Sequence, residues 1–177
     1  MSFASPEKNI IPLGLSAGKR VADLGSGTGH YALAASRLVG SEGCVYAIDV
    51  QKDLLDRFQQ EVEQKGVRNI HVMWGDVETV GGSKLKVDAV DAVIASNILF
   101  QAESKTGLIH EIKRILKKGG SVLVIDWSES FAGLGPSSQE VVSEEIARDL
   151  FEKNGFSLEK TFDAGAHHYG MVFKNSL

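Results

Sequence analysis

At 177 residues, with 43% hydrophobic and 24% charged residues, the chain has the size and composition of one globular domain spanning 1–177, able to bury a core without staples. Its formal charge of −4 offers no overall footprint for nucleic acid, and its single cysteine excludes an intramolecular disulfide or a thiolate metal cluster, so no metal is expected. No apolar run approaches the ~18 residues that cross a bilayer and the first residues carry no signal-peptide pattern, so no integral membrane segment and a cytoplasmic setting are expected.

In chain order, Ser5-Pro6-Glu7 predicts a helix start, with a hydroxyl cap, proline in the first turn and an acid at the positive end of the dipole. Pro12 limits that helix to about residues 5–11. It is a packing helix or a lid over whatever the next segment binds, with Phe3 as an apolar cover.

The segment Val21-Ala22-Asp23-Leu24-Gly25-Ser26-Gly27-Thr28-Gly29-His30 is the organising stretch. A short apolar strand ends in an acid, turns through three glycines and enters a helix from Tyr31 to Leu38. Glycines let a ligand approach the main chain, and the helix start offers unpaired N–H groups, which together make a nucleotide-type site. A dinucleotide fingerprint needs its third glycine one position later, where His30 stands. Asp23 would repel a diphosphate and suits a ligand bearing an ammonium or sulfonium.

This acid followed by G-x-G-x-G resembles the first motif of class I S-adenosylmethionine (SAM)-dependent methyltransferases. The resemblance implies SAM as cofactor, with Asp23, Gly25, Ser26, Gly27, Thr28 and Gly29 at its site.

Cys44 opens a second apolar strand, residues 44–48, and is expected to be a buried small hydrophobe. The strand ends on Asp49, about twenty residues past the glycine loop, where α/β nucleotide folds place the acceptor for ribose hydroxyls. Leu54, Leu55, Phe58 and Val62 recur at helical spacing and Gly66 closes that helix. A third strand, 70–74, leads to Asp76, with His71 inside the strand pattern as a structural residue. In the family, an acid at this point accepts from the adenine amine, which implies that role for Asp76, with Val50 and Val77 on either side of the ring.

Residues 78–89 are polar and read as neither helix nor strand. A fourth strand, 91–95, is followed by Ser96-Asn97-Ile98-Leu99-Phe100-Gln101, which in the family lines methyl donor and acceptor. The stretch lacks the prolines of the Asn/Asp-Pro-Pro-aromatic motif of methyltransferases acting on base or glutamine amines, which argues against those substrates.

A helix is predicted over 103–118, stopped by Gly119-Gly120, and Ser121 to Ile125 is an apolar run suited to a strand buried on both faces. Arg114-Ile115-Leu116-Lys117-Lys118-Gly119-Gly120 is again similar to the family. Residues 128–139 form a loop over the strand ends, 143–154 a helix, and 156–162 and 168–174 an antiparallel hairpin. The tail His167-His168-Tyr169-Gly170 resembles small-molecule methyltransferases of the ubiquinone/menaquinone-biosynthesis branch.

The expected architecture is therefore α/β, a Rossmann-like doubly wound and mostly parallel seven-stranded sheet with a C-terminal antiparallel hairpin and helices on both faces. The expected activity is methyl transfer from SAM to a small-molecule acceptor, in which alignment of the reacting atoms supplies much of the rate. A base is needed only if the acceptor must lose a proton, and His167, His168, Tyr169 and Asp126 are the candidates near the strand-end rim. The competing readings are a non-catalytic SAM-binding sensor or regulatory subunit, and an NAD(P)-dependent oxidoreductase, which the missing glycine at position 30 and the acid at position 23 oppose. A homodimer, or a partner subunit completing the acceptor pocket, is compatible with so short a chain.

Overall fold

The computed structural model describes residues 5–176. Phe3, the expected apolar cover, lies outside the described residues.

The order of elements is α1 (Pro6–Asn9), a 3₁₀ turn (Ile11–Leu13), β1 (Arg20–Leu24), α2 (His30–Val39), β2 (Cys44–Asp49), α3 (Lys52–Gln64) and β3 (Ile70–Trp74). There follow β4 (Val90–Ser96), α4 (Lys105–Ile115), β5 (Leu116–Trp127), α5 (Glu144–Lys153), β6 (Phe156–Asp163) and β7 (His168–Asn175). All seven strands join one sheet in the order β3-β2-β1-β4-β5-β7-β6. The first five are parallel, and β7 inserts between β5 and β6, antiparallel to both. The order reverses at β1 and β4, so the loops after these two strands diverge and leave a crevice at their carboxyl ends.

Alternation along the central strands builds a core on each face. Val122 and Val124 of β5, with Val93 and Ala95 of β4, pack toward Leu108, Ile112, Phe151 and Phe173. Leu123 and Ile125, with Ala92 and Ile94, pack toward Val39, Phe58 and Val62 of the α2 and α3 side. The Leu55, Phe58 and Val62 stripe of α3 is buried as its spacing predicts, while Leu54 is only partly covered and faces the crevice.

Three local expectations need correction. Pro12 does not end the first helix; α1 stops at Asn9 and Pro12 sits inside the 3₁₀ turn. The helix predicted to Lys118 stops at Ile115, because Leu116 is extended (φ −85, ψ 125), fully buried and paired with Val90. Gly119 (φ 73) then turns the chain before pairing resumes at Ser121. Cys44 is half-buried rather than buried.

Candidate functional site

The strand β1 delivers Asp23 into the interior, 2% exposed, and the chain then passes through Gly25, Gly27 and Gly29, all at positive φ. The backbone N–H groups of Gly25 and Ser26 both donate to the Ile48 carbonyl (2.8 and 3.0 Å), which pins the loop to the end of β2. From that end Asp49 reaches back: one carboxylate oxygen accepts from Gly27 N–H at 2.8 Å and the other from Gln51 N–H at 2.9 Å.

The glycines serve different ends. A Cβ on Gly27 would meet nothing within 4 Å, so this stretch of main chain stands open to the crevice. A Cβ on Gly29 would lie 2.1 Å from the Phe58 ring, so the third glycine lets α3 pack against the loop. Gly29, grouped with the cofactor residues on its motif, does not line the crevice.

The crevice is a cavity of about 590 Å³ in which the structure brings together Asp23, Gly25, Ser26, Gly27, Thr28, Asp49, Val50, Asp76, Val77, Ser96 and Asn97. It thus collects all the expected cofactor residues except Gly29. Val77 is buried at 5% exposure whereas Val50 is 51% exposed, leaving an apolar surface held in place by the Trp74 indole N–H donating to the Val50 carbonyl at 3.0 Å. Asp76 accepts from Glu78 N–H at 3.0 Å and Thr79 Oγ1 at 2.9 Å.

Sequence reasoning did not single out His30, Tyr31 or Gln51, which also line the cavity, whereas Ile98 and Gln101 fall in the stretch after the fourth strand that was expected to line donor and acceptor. The first three lie within a few positions of a motif residue, so extending each strand end into the following turn would have found them. Pro6 of α1 also lines the cavity. Asn9, the buried last residue of α1, donates to the Tyr31 hydroxyl at 3.4 Å and to the Ala164 carbonyl at 2.8 Å. It ties the cavity wall to the β6–β7 turn.

The site is strongly acidic, and part of it is buried. Burial, the largest effect, pushes the Asp23 carboxyl up to about 7; an N–H bond from Ala32 opposes it and the negative charge of Asp49 adds to it. Asp23 Oδ2, Ser26 Oγ and Asn97 Oδ1 are buried without a hydrogen-bond partner among the described residues. Asn97 also holds a left-handed backbone (φ 53), uncommon for a residue with a Cβ. Unpaired buried acceptors are costly, and a ligand carrying N–H or O–H donors or a positive charge relieves that cost.

The four residues considered for proton transfer lie elsewhere on the rim, and none lines this cavity. Asp126 is fully buried and accepts from Leu99 N–H at 2.9 Å and Trp127 N–H at 2.8 Å, fixing the turn after β4. Burial dominates its titration and pushes it up to about 6, against those N–H bonds. Tyr169 is buried and its hydroxyl donates to the Val142 carbonyl at 2.9 Å. His168 packs at 4.3 Å on Trp127, with Nδ1 2.8 Å from the Ala166 carbonyl; burial lowers its pKa. His167, at positive φ (64), places Nδ1 2.7 Å from Glu129 Oε1 and stacks at 3.8 Å on Phe131, and its Nε2 is buried without a partner among the described residues.

A seven-stranded sheet of this order with a glycine loop at its switch point is the fold of SAM-dependent methyltransferases. The model of the methyltransferase domain family matches residues 15–168, and the chain belongs to that family. It is 32% identical over 105 residues to the aklanonic acid methyltransferase of Streptomyces sp. (strain C5), covering 59% of this chain and 46% of that protein. It is 31% identical over 117 residues to the ubiquinone/menaquinone biosynthesis C-methyltransferase of Vibrio campbellii, covering 66% of this chain and 44% of that protein. The chain thus spans less than half the length of these curated relatives. A crystal structure of a SAM-dependent methyltransferase from Aquifex aeolicus superposes with a TM-score of 0.88 at 27% identity, over 97% of this chain and 90% of that one. Neither the oxidoreductase nor the sensor reading is favoured by these relatives.

Proposed function

We propose that this chain binds SAM in the strand-end cavity and transfers its methyl group to a small-molecule acceptor. The observation that carries the reading is the arrangement of Asp23, Asp49 and Asp76 on successive strand ends around the open main chain of Gly27, with Asp23 Oδ2 buried and without a partner among the described residues. Such a donor set fits SAM part by part. Asp23 offers its free carboxylate oxygen to a cationic group. Asp49 keeps lone pairs beyond the two N–H bonds it accepts and takes the ribose hydroxyls, since an ionised carboxylate has about four acceptor sites. Asp76 accepts from the adenine amine, between the apolar surfaces of Val50 and Val77. Ser96 and Asn97, which line the same cavity, would face the methyl donor.

The methyl donor brings a carbon already activated by its cationic sulfur. The protein's part is then orientation, which the strand-end acids and the glycine loop around the cavity provide. Asp126 and Tyr169 act as positioning residues, since their polar atoms are engaged with backbone groups. His167 is the candidate base for an acceptor that must lose a proton: Glu129 Oε1 lies 2.7 Å from Nδ1, and Nε2 is left without a partner among the described residues. His168 packs on Trp127 beside it. A cytoplasmic setting belongs to the same reading and is supported by the cysteine-poor composition.

The test is titration calorimetry of the purified chain with SAM, S-adenosylhomocysteine and NAD, followed by a screen of small hydroxylated, enolic and amine acceptors for S-adenosylhomocysteine formation. Binding of SAM and its product in preference to NAD, with turnover of at least one acceptor, is expected. Preference for NAD would overturn the site assignment, and tight SAM binding with no turnover of any acceptor would favour a sensor.

A further inference from the structure

A second groove, of about 530 Å³, lies at the amino ends of β1, β4 and β5, and shares no lining residue with the strand-end cavity. Its walls carry Arg20, Lys84, Lys86 and Lys117 against a single carboxylate, Asp88, beside the Tyr46 ring. This local excess of positive charge stands on a chain whose net charge is −4. Lys117 is paired with Asp91 at 3.0 Å, and the Arg20 guanidinium donates to the Tyr46 hydroxyl. The Lys84 ammonium lies 4.6 Å from the centre of the Trp74 ring. Among the described residues, neither Lys84 nor Lys86 is paired with a carboxylate.

The cations are held on a fixed frame. Fully buried Glu111 accepts from Gly81 N–H at 2.6 Å and Ser83 N–H at 3.1 Å. Arg114 donates to the Leu85 carbonyl at 2.8 Å, and its own carbonyl accepts from Asp88 N–H at 3.0 Å. Within that frame Lys84 (φ 62) and Asp88 (φ 52) both hold left-handed backbone, a strained state for residues with a Cβ that persists only where surrounding contacts enforce it. Like charges gathered at a concave, braced surface repel one another, and a multiply charged anion removes that repulsion.

We infer that this groove is a binding site for a compact polyanion, a small molecule bearing two or more phosphate groups. The cations gather around one compact depression of about 530 Å³, whereas nucleic acid requires cations spread along an extended face. Lys86, without a carboxylate partner among the described residues, offers phosphate oxygens a point charge, and Lys84 offers a second in place of its contact with the Trp74 ring.

The experiment is titration calorimetry of the full chain with sodium tripolyphosphate at low salt (about 50 mM) and higher salt (about 300 mM). Saturable binding is expected at low salt, weakened by about tenfold at higher salt. Lys84→Glu and Lys86→Glu are each expected to weaken it by about tenfold, while Lys153→Glu on distant α5 leaves it unchanged. Circular dichroism of each variant establishes that it is folded, and either groove variant suffices. Absence of saturable binding at low salt overturns the inference, as does an equal loss in Lys153→Glu, which would make the effect one of net charge. Binding of an RNA oligomer with none of tripolyphosphate would overturn it in favour of a nucleic-acid surface. These outcomes are independent of whether the strand-end cavity binds SAM.

Discussion

Asp49 accepts the backbone N–H of Gly27 at 2.8 Å, so the carboxylate assigned to the ribose also shapes the loop on which the ligand lies. Strand end and glycine turn are thereby one unit. Asp49→Ala strands the N–H groups of both Gly27 and Gln51 as well as removing a ligand acceptor. Losses of about 1–3 kcal/mol are usual for unpaired buried polar groups, which is about 5- to 150-fold in affinity for S-adenosylhomocysteine. Calorimetry checks it, and an unchanged Kd would remove Asp49 from the site.

Gly27 and Gly29 separate ligand binding from stability. Gly27→Val places a branched side chain on the open side of the loop at φ 51, in the space assigned to the ligand. It should abolish SAM binding while the far-ultraviolet spectrum stays native, with some loss of Tm from the strained backbone. Gly29→Ala drives a methyl group to 2.1 Å from the Phe58 ring at φ 79 and should act on the fold instead. Overpacking of this kind costs about 1–3 kcal/mol, or a fall in Tm of roughly 2–12 °C for a chain of this size. A Gly29→Ala protein as stable as wild type would show that α3 does not depend on that contact.

The split between these glycines marks where the sequence was legible. The acid, the glycine loop and the strand-end acids lie in contiguous runs whose chemistry is local, so the cavity's composition could be read directly. Gly29's purpose depends on Phe58, twenty-nine positions away, a contact that no local pattern reports. Leu116 likewise continues a helical pattern on paper but is taken into the sheet by pairing with Val90. The polar 78–89 stretch, ambiguous as sequence, is ordered by Glu111 and Arg114 on a distant helix. For the rim candidates, only the fold distinguishes a tyrosine that donates to a carbonyl from a histidine paired with Glu129.

Asp23 should make both stability and ligand affinity depend on pH, in opposite directions. Its folded-state pKa, about 7, lies above the ordinary carboxylate range, so the folded chain holds the proton more tightly than the unfolded one. Its contribution to stability is therefore largest at low pH and declines as pH rises from about 4 to about 7. Asp126, raised to about 6, adds a slope of the same sign over a narrower window. A cationic ligand needs ionised Asp23, so affinity for SAM should rise by about tenfold between about pH 6 and about pH 8, following the ionised fraction. Asp23→Asn should bind weakly without that pH dependence and melt at a higher temperature than wild type near pH 8. Calorimetry and thermal denaturation across pH measure both, and an Asp23→Asn protein that binds SAM normally would sink the assignment.

Tyr169 distinguishes a positioning role from a chemical one. Its hydroxyl sits in the core between β7 and the chain leading to α5, donating to the Val142 carbonyl, and burial pushes its pKa up, so it is a poor source of phenolate. Tyr169→Phe keeps the ring and leaves one buried carbonyl short of a donor, at a cost of about 1–2 kcal/mol in stability. Once an acceptor is found, kcat and its pH profile should match wild type, because no proton passes through this group. His167→Asn should instead slow turnover of hydroxylated acceptors and flatten the acid limb of the profile, and Glu129→Gln should do so in part. A Tyr169→Phe enzyme of unchanged stability that lost turnover would reverse the two assignments, placing the phenol at the reacting atoms and leaving His167 to hold the turn.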